Sequence, residues 1–278
     1  MPVPFRLLIS LMLGSLVLAA CTSAARPAPT SPSGSPTSAT TPSTAESTTS
    51  QAATRTPAPA TPPARRATPP PPARRTTPTR PDPLPLRAST GSARQVITVV
   101  ASSTTSTTAR LQAWRKDVTG WHAVGSAVTA HLGSDGLSSQ PSESKSATPI
   151  GSFTLTQAFG ALANPGTALP YVHTDDGDWW ISQPGALYNT HQHCSSGCAF
   201  TQGDPNEHLR AITPQYDYAV VIDYNRFPVR QGAGSAFFLH VTDGSPTAGC
   251  VAIPQSRLVS IMKWLDPAAH PRIVIGVG

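Results

Sequence analysis

The chain has 278 residues, 31 of them proline and only 12% charged, with 20 Lys plus Arg against 14 Asp plus Glu for a net charge of +6. That charge is unevenly placed: residues 22–90 carry eight Arg against Glu46 and Asp82, a net of +6, whereas residues 91–278 carry eleven basic and twelve acidic side chains, a net of −1. A nucleic-acid-binding domain would show a basic folded surface, so nucleic acid is excluded as the partner of the C-terminal part.

At the amino end, Arg6 and the terminal amine precede the apolar run Leu7–Leu18. This run suits a signal-peptide core and falls short of the roughly 20 residues of a membrane span. It ends in Leu18-Ala19-Ala20-Cys21, an order that resembles the bacterial lipobox. The expectation is a signal peptide at 1–20 and lipidation at Cys21, which would anchor the chain to the extracytoplasmic face of a cell membrane. An ordinary signal peptide with a chance cysteine is the alternative. Nothing later in the sequence is long and apolar enough to span a bilayer.

Residues 21–92 are built mostly of Pro, Ala, Thr, Ser and Arg, without an aromatic side chain. Such a composition buries too little apolar surface to offset the entropy of ordering, and it reads as a disordered linker. In an extended, proline-rich form it would reach at most roughly 200 Å. Its arginines either attract anionic lipid or wall polymers or keep the linker solvated.

Residues 93–278 are long enough for one domain with a real core. Val96–Val100 is a continuous β-branched run, and Ala109–Arg115 alternates apolar and polar residues. Tyr218–Tyr224, Ala236–Val241 and Arg272–Val277 read as further strands. A helix is expected from Ser256 to Leu265: Leu258, Ile261, Met262 and Leu265 share one face, Ser256 serves as N-cap, and Asp266-Pro267 stops it. Many strands and one late helix predict a mainly β, β-sandwich-like fold.

Besides Cys21 there are three cysteines. Cys194 and Cys198 bound a short loop, and an exported chain keeps disulfides. The readings open for them are a disulfide worth about 2 kcal/mol, zinc ligation together with His191 and His193, or free thiols. Cys250 is left over, and is either intermolecular, buried and inert, or reactive. It lies in Gly244-Ser245-Pro246-Thr247-Ala248-Gly249-Cys250, ten residues after His240 at the end of an apolar strand. A hairpin-like return would bring the imidazole beside the thiol. A thiol of ordinary pKa is only a few per cent ionised at neutral pH, so a nucleophilic cysteine needs such a base. Gly249 permits close backbone approach, and the amides of Gly249 and Cys250 could form an oxyanion hole.

At these residues the chain resembles the L,D-transpeptidase catalytic domains of the YkuD type. That family carries a histidine on a strand, here Phe237-Phe238-Leu239-His240, and a Ser/Thr-x-Gly-Cys segment, here Thr247-Ala248-Gly249-Cys250. Its upstream Thr-Pro-x-Gly-x-Phe element matches Thr148-Pro149-Ile150-Gly151-Ser152-Phe153, and the preceding Gly-x-x-Gly turn matches Gly133–Gly136. The chain departs from the family's commonest pattern at Ala248, where a second histidine is usual, and at Ala252, where Arg or Asn is frequent. The His-to-Cys interval is also shorter than in the best-known members.

The resemblance implies acyl transfer on peptidoglycan peptide stems without a metal or organic cofactor. Cys250 would be the nucleophile and His240 the base, its second ring nitrogen held by a carbonyl such as that of Val241. Gly249 and Cys250 would supply the oxyanion hole, with Ala248 assisting. Thr247 would touch substrate or stabilise the turn, and Trp179, Trp180 and Tyr188 would line a groove or belong to the core. The Asp175–Asp178 stretch reads as a polar turn more readily than as a calcium loop, and Asp223 and Tyr224 as structural. Hydrolysis on the same fold, as an L,D-carboxypeptidase or amidase, and a non-catalytic wall-binding role are the alternative functions.

Overall fold

The computed structural model describes residues 83–278. The expected signal peptide, Cys21 and the linker as far as residue 82 lie outside the described residues.

Strands β1 (Gln95–Ala101), β2 (Thr108–Asp117) and β3 (Gly120–His131) form an antiparallel meander. β1 is the run QVITVVA and is buried almost throughout, as expected for a β-branched strand with core on both sides. The short strands β4 (Leu137–Ser138) and β5 (Thr148–Pro149) pair with each other. They lead into β6 (Gly151–Thr154), β7 (Ala158–Gly160) and β8 (Tyr171–His173). A separate small sheet follows, made of β9 (Asp178–Ile181), β10 (Thr190–His193) and β11 (Glu207–His208), with β9 in the middle. The chain ends with β12 (Ala219–Val221), β13 (Phe238–Val241), β14 (Val251–Ile253), helix α1 (Gln255–Trp264) and β15 (Arg272–Val277).

Ten of these strands make one sheet in the order β6-β15-β1-β2-β3-β14-β13-β12-β7-β8. Its two halves meet at the single β3–β14 pair His131↔Ala252. The sheet curls there, because residues from both halves share one core: Ile97, Leu111 and Ile273 lie with Val220, Leu239 and Ile253. Leu258, Ile261 and Met262 of α1 join the same core. Each such side chain contributes about 1.5–3 kcal/mol on burial. This is the mainly β, sandwich-like architecture expected, with one α-helix among the described residues.

Several boundaries differ from the expectation; β12, for one, covers only Ala219–Val221 of the expected Tyr218–Tyr224. Helix α1 starts at Gln255 straight after Pro254, with no side-chain cap, so Ser256 lies inside its first turn rather than at the N-cap. Asp266 accepts from the Ala268 amide and opens the next short turn. Pairing of β13 begins at Phe238, not Ala236, because Ala236 has a positive φ of 56° that no extended strand tolerates. Lastly, Leu84 and Leu86, assigned to the linker, pack against Ala93, Val96 and Val274. Ser152 also donates to the Ser89 carbonyl at 2.8 Å. The ordered domain therefore begins before residue 93, since these two leucines bring apolar surface that the sheet can cover. No helix of the described residues is long and apolar enough to cross a membrane.

Candidate active site

The loop from Thr242 to Cys250 joins two strands that run parallel, with Leu239 opposite Val251 and His240 opposite Ala252. The hairpin-like return expected from the sequence is therefore replaced by a crossover. The chain doubles back beside β13 and delivers Cys250 near the start of that strand. The thiol meets backbone there: the Phe238 amide donates to Sγ at 3.3 Å, and Sγ donates to the Ala236 carbonyl at 3.3 Å. His240 does not bond to Sγ in this arrangement. Both side chains nonetheless line one cavity of about 430 Å³, together with Thr247 and Ala248.

The loop that carries Cys250 is held from two directions. Thr247 Oγ1 donates to the Cys250 carbonyl at 2.8 Å and accepts from the Gly249 amide at 3.0 Å. The Thr247 amide donates to the Leu132 carbonyl, and its own carbonyl accepts from Ser134. From the upstream motif, Thr148 Oγ1 donates to the same Cys250 carbonyl at 3.4 Å and accepts from the Gly133 amide at 2.8 Å. The two distant sequence elements thus converge on one peptide bond. Gly249 has φ +140°, and a Cβ there would meet the Phe237 ring at 2.7 Å. Only glycine fits, and for a conformational reason.

This geometry revises the expected oxyanion hole. The Gly249 amide is taken by Thr247, so it is not a free donor. The amides of Cys250 and Ala248 have no partner in the hydrogen bonds of the described residues and remain as candidates. Thr247 acts as a turn-stabilising hydroxyl while also facing the cavity.

Electrostatics keep the resting pair neutral. His240 Nδ1 lies 2.8 Å from the Val241 carbonyl, which can only accept, so the proton sits on Nδ1 and Nε2 keeps its lone pair. Burial lowers the imidazole pKa, against the Val241 hydrogen bond and the charge of Asp243, which raise it. Burial pushes the Cys250 thiol well up, and Glu207 adds to the effect; the Phe238 amide and the Tyr216 hydroxyl oppose them. The pair is a thiol beside a neutral base, not a preformed ion pair.

Two expected groove residues are not at a surface. Trp180 is 1% exposed, packs edge-on to Phe238 at 4.9 Å and donates to Asn189 Oδ1 at 3.0 Å. Tyr188 is also buried, and its hydroxyl donates to Glu143. Neither ring can stack on a substrate; both belong to the core. Trp179 is buried on the other face of β9, stacked on His208 at 4.6 Å. Neighbours on a strand face opposite ways, so both tryptophans can be covered at once.

Cys194 and Cys198 form a disulfide, which removes two of the four ligands from the zinc reading. In the Asp175–Asp178 turn, Asp175 accepts from Gly177 and from His193, and Asp178 accepts from Asp175 and from His191. Asp175, Asp178 and His193 bring ligand atoms within 4.8 Å of one another. Asp223 accepts from the Thr154 and Thr156 hydroxyls, and the Tyr224 hydroxyl donates to the Ala233 carbonyl, so both tie strands and loops together.

Sequence reasoning missed Glu143, Glu207 and Tyr216, all of which line the cavity with Cys250. Tyr216 Oη donates to Glu207 Oε2 at 2.6 Å, and the Tyr216 ring stands edge-on to His240 at 5.5 Å. Glu143 sits in a loop, Glu207 in the two-residue β11 and Tyr216 in a single 3-10 turn, Gln215–Asp217, none long enough to show periodicity.

A family model described as the YkuD L,D-transpeptidase catalytic domain matches residues 94–275. Neither the curated proteins nor the solved structures compared with the chain gave a match.

Proposed function

Since the chain belongs to the YkuD family of L,D-transpeptidase catalytic domains, whose work is on peptidoglycan, we propose that it transfers an acyl group of a peptide stem through Cys250. The supporting observation is that Cys250, immediately before β14, and His240, on the neighbouring parallel strand β13, line one cavity.

In this reading the thiol leaves the Ala236 carbonyl and turns to His240 Nε2, which takes its proton. Sulfur attacks the carbonyl of the L-configured diaminoacid centre joined to D-alanine. The oxyanion is met by the Cys250 and Ala248 amides. Collapse breaks the C–N bond, and the proton on Nε2 goes to the departing D-alanine amine. A thioester remains on Cys250. The amine of a second stem then attacks it, His240 takes that amine's proton, and sulfur leaves with the thiol restored. No cofactor is required for these steps. Proton transfer by a positioned base is typically worth 10²–10⁴-fold.

Hydrolysis is the second reading, and Ala248 favours it: a methyl beside the nucleophile gives an acceptor amine nothing to bind, and water needs no such site. Incubating the purified chain with a disaccharide-tetrapeptide, alongside Cys250→Ala, separates the readings by intact mass and muropeptide analysis. An adduct on Cys250 with dimeric product supports transpeptidation, and D-alanine release with shortened monomer supports the hydrolase. Neither adduct nor product change would leave a wall-binding role.

The reading extends to location. Cys21, lipidated after removal of residues 1–20, would hold the chain on the extracytoplasmic face of the membrane, and the proline-rich linker would carry the catalytic domain into the wall. Labelling cells with an alkyne fatty acid tests this, and an unlabelled wild-type chain released to the medium would sink it.

A further inference from the structure

We propose that Glu207 is a positioning residue that acts on Cys250 through Tyr216, the charge on its carboxyl deciding whether the single phenol proton is held by Glu207 or given to the Cys250 sulfur. This rests on the reading of Cys250 as the nucleophile.

The argument begins with a count of donors. A tyrosine hydroxyl has one proton to give. In the structure it goes to Glu207 Oε2 at 2.6 Å. Yet Tyr216 belongs to the same buried cluster as Cys250, with Phe159 and Phe238 around it. Tyr216, Glu207 and Cys250 also line one cavity, and the Tyr216 hydroxyl works against the burial that raises the thiol. The ring cannot swing away, because it is fixed edge-on against Phe159, Phe238 and His240 at 5.5 Å each. Carboxylate and sulfur therefore compete for one proton on an immobile phenol.

The state of Glu207 decides the competition. An ionised carboxylate can only accept, so it keeps the phenol proton, and its charge opposes a thiolate nearby. A protonated carboxyl has its own O–H, which can be donated to Tyr216 Oη. The phenol O–H is then free to turn to Sγ. Only hydrogen bonds change, and the thiol proton still goes to His240 Nε2. Glu207 keeps an edge on the cavity but is surrounded by protein, and the loss of hydration lifts its carboxyl to about 7, against the Tyr216 hydrogen bond and aided by Glu143. Both forms are thus accessible near neutrality. The other charged groups facing this cavity are Glu143 and Lys145 before β5, Asp204 before β11, and Asp243 after β13.

The test is the pH profile of iodoacetamide alkylation, followed on the peptide that carries Cys250, in the wild-type chain, Glu207→Gln, Tyr216→Phe and the double variant. This reads the thiol and not cross-linking, so it can fail or succeed independently of the transpeptidase reading. The wild-type rate should flatten near pH 7 as the donor is withdrawn. Glu207→Gln should lose the flattening and react about tenfold faster at pH 8, the effect of one unit of thiol pKa once the phenol proton is no longer held by a carboxylate. With Phe at 216, the effect of Glu207→Gln should fall to less than about threefold, since contacting groups couple. A profile in Glu207→Gln that tracks the wild type, or an effect equally large without the phenol, overturns the proposal. Should a variant fail to fold, infrared spectroscopy of the wild-type chain with labelled glutamate decides. A protonated-carboxyl band at pH 6 that vanishes by pH 8 supports the proposal, and a glutamate already ionised at pH 5 refutes it.

Discussion

Two loops of this molecule each end on a cysteine that follows a glycine, and they are stabilised in opposite ways. In the loop before Cys250, noncovalent contacts on every side fix the backbone: Thr247 and Thr148 grip one carbonyl, β13 grips the sulfur, and Phe237 packs where a Cβ on Gly249 would stand. In the loop Cys194–Cys198, a covalent link does the work at the edge of the small sheet, and nothing lies within 4 Å of a Cβ built on Gly197. Cys250, the proposed nucleophile, is a buried free thiol with no partner cysteine among the described residues. The half-buried pair, packed against Trp179, Ile181 and Phe200, is joined covalently. Burial and local partners, not residue type, separate the two jobs.

The sharpest way to break this comparison is to remove the reacting groups. Cys250→Ala is expected to abolish the acyl adduct, and His240→Ala to slow product formation by roughly 10²–10⁴-fold, while opening the disulfide leaves both within about twofold. Equal losses at the two loops, measured by muropeptide analysis, would make the distinction meaningless.

Paired glycine substitutions come next. Gly249→Ala must accept φ +140° and displace the Phe237 ring, a cost of about 3 kcal/mol from strain and overpacking. Gly197→Ala has φ +64° in open space and should cost only about 1 kcal/mol. Denaturant melts of the two variants measure the gap, and a Gly249→Ala chain as stable as Gly197→Ala would show that the nucleophile loop is looser than its contacts imply.

Reducing the disulfide should destabilise the domain by about 2 kcal/mol, the chain-entropy value for so short a loop. Melting with and without reductant reads this directly. Alkylation of Cys250 in the same samples should barely change, and a large change would couple the loops.

The smallest effect concerns acid. His240 has a lowered pKa chiefly through burial, so as pH falls through the ordinary histidine value the unfolded chain binds a proton that the folded chain resists. Stability is therefore expected to be full above that value and to decline below it, by up to about 1.4 kcal/mol per pH unit from this group. Melts of the wild type and His240→Gln between about pH 7 and 5 should converge on acidification, a trend that parallel curves would contradict.

Legibility in the sequence followed the strength of local patterning. β1, β2 and β15 were readable because β-branched or alternating runs bury at least one face. The 12-residue β3 was missed, since its residues are mostly half-buried or exposed and show no clear alternation. The two tryptophans show the reverse failure. An aromatic pair after a polar turn looks the same whether it lines a groove or fills a core, and only the packing of β9 against β13 and β11 buries both.

By itself, the sequence determined the fold class and the helix face and offered Cys250 and His240 as a candidate pair, because these depend on short-range periodicity and on motifs whose residue types are chemically restricted. The tertiary structure alone decided the parallel crossover that aims the thiol at β13 rather than at the imidazole. It also committed the Gly249 amide to Thr247 and brought Glu207 and Tyr216 to the cavity that Cys250 lines. Those outcomes depend on contacts between residues far apart in the chain, and hydrogen bonds and desolvation act over a few ångströms of space whatever the separation in sequence.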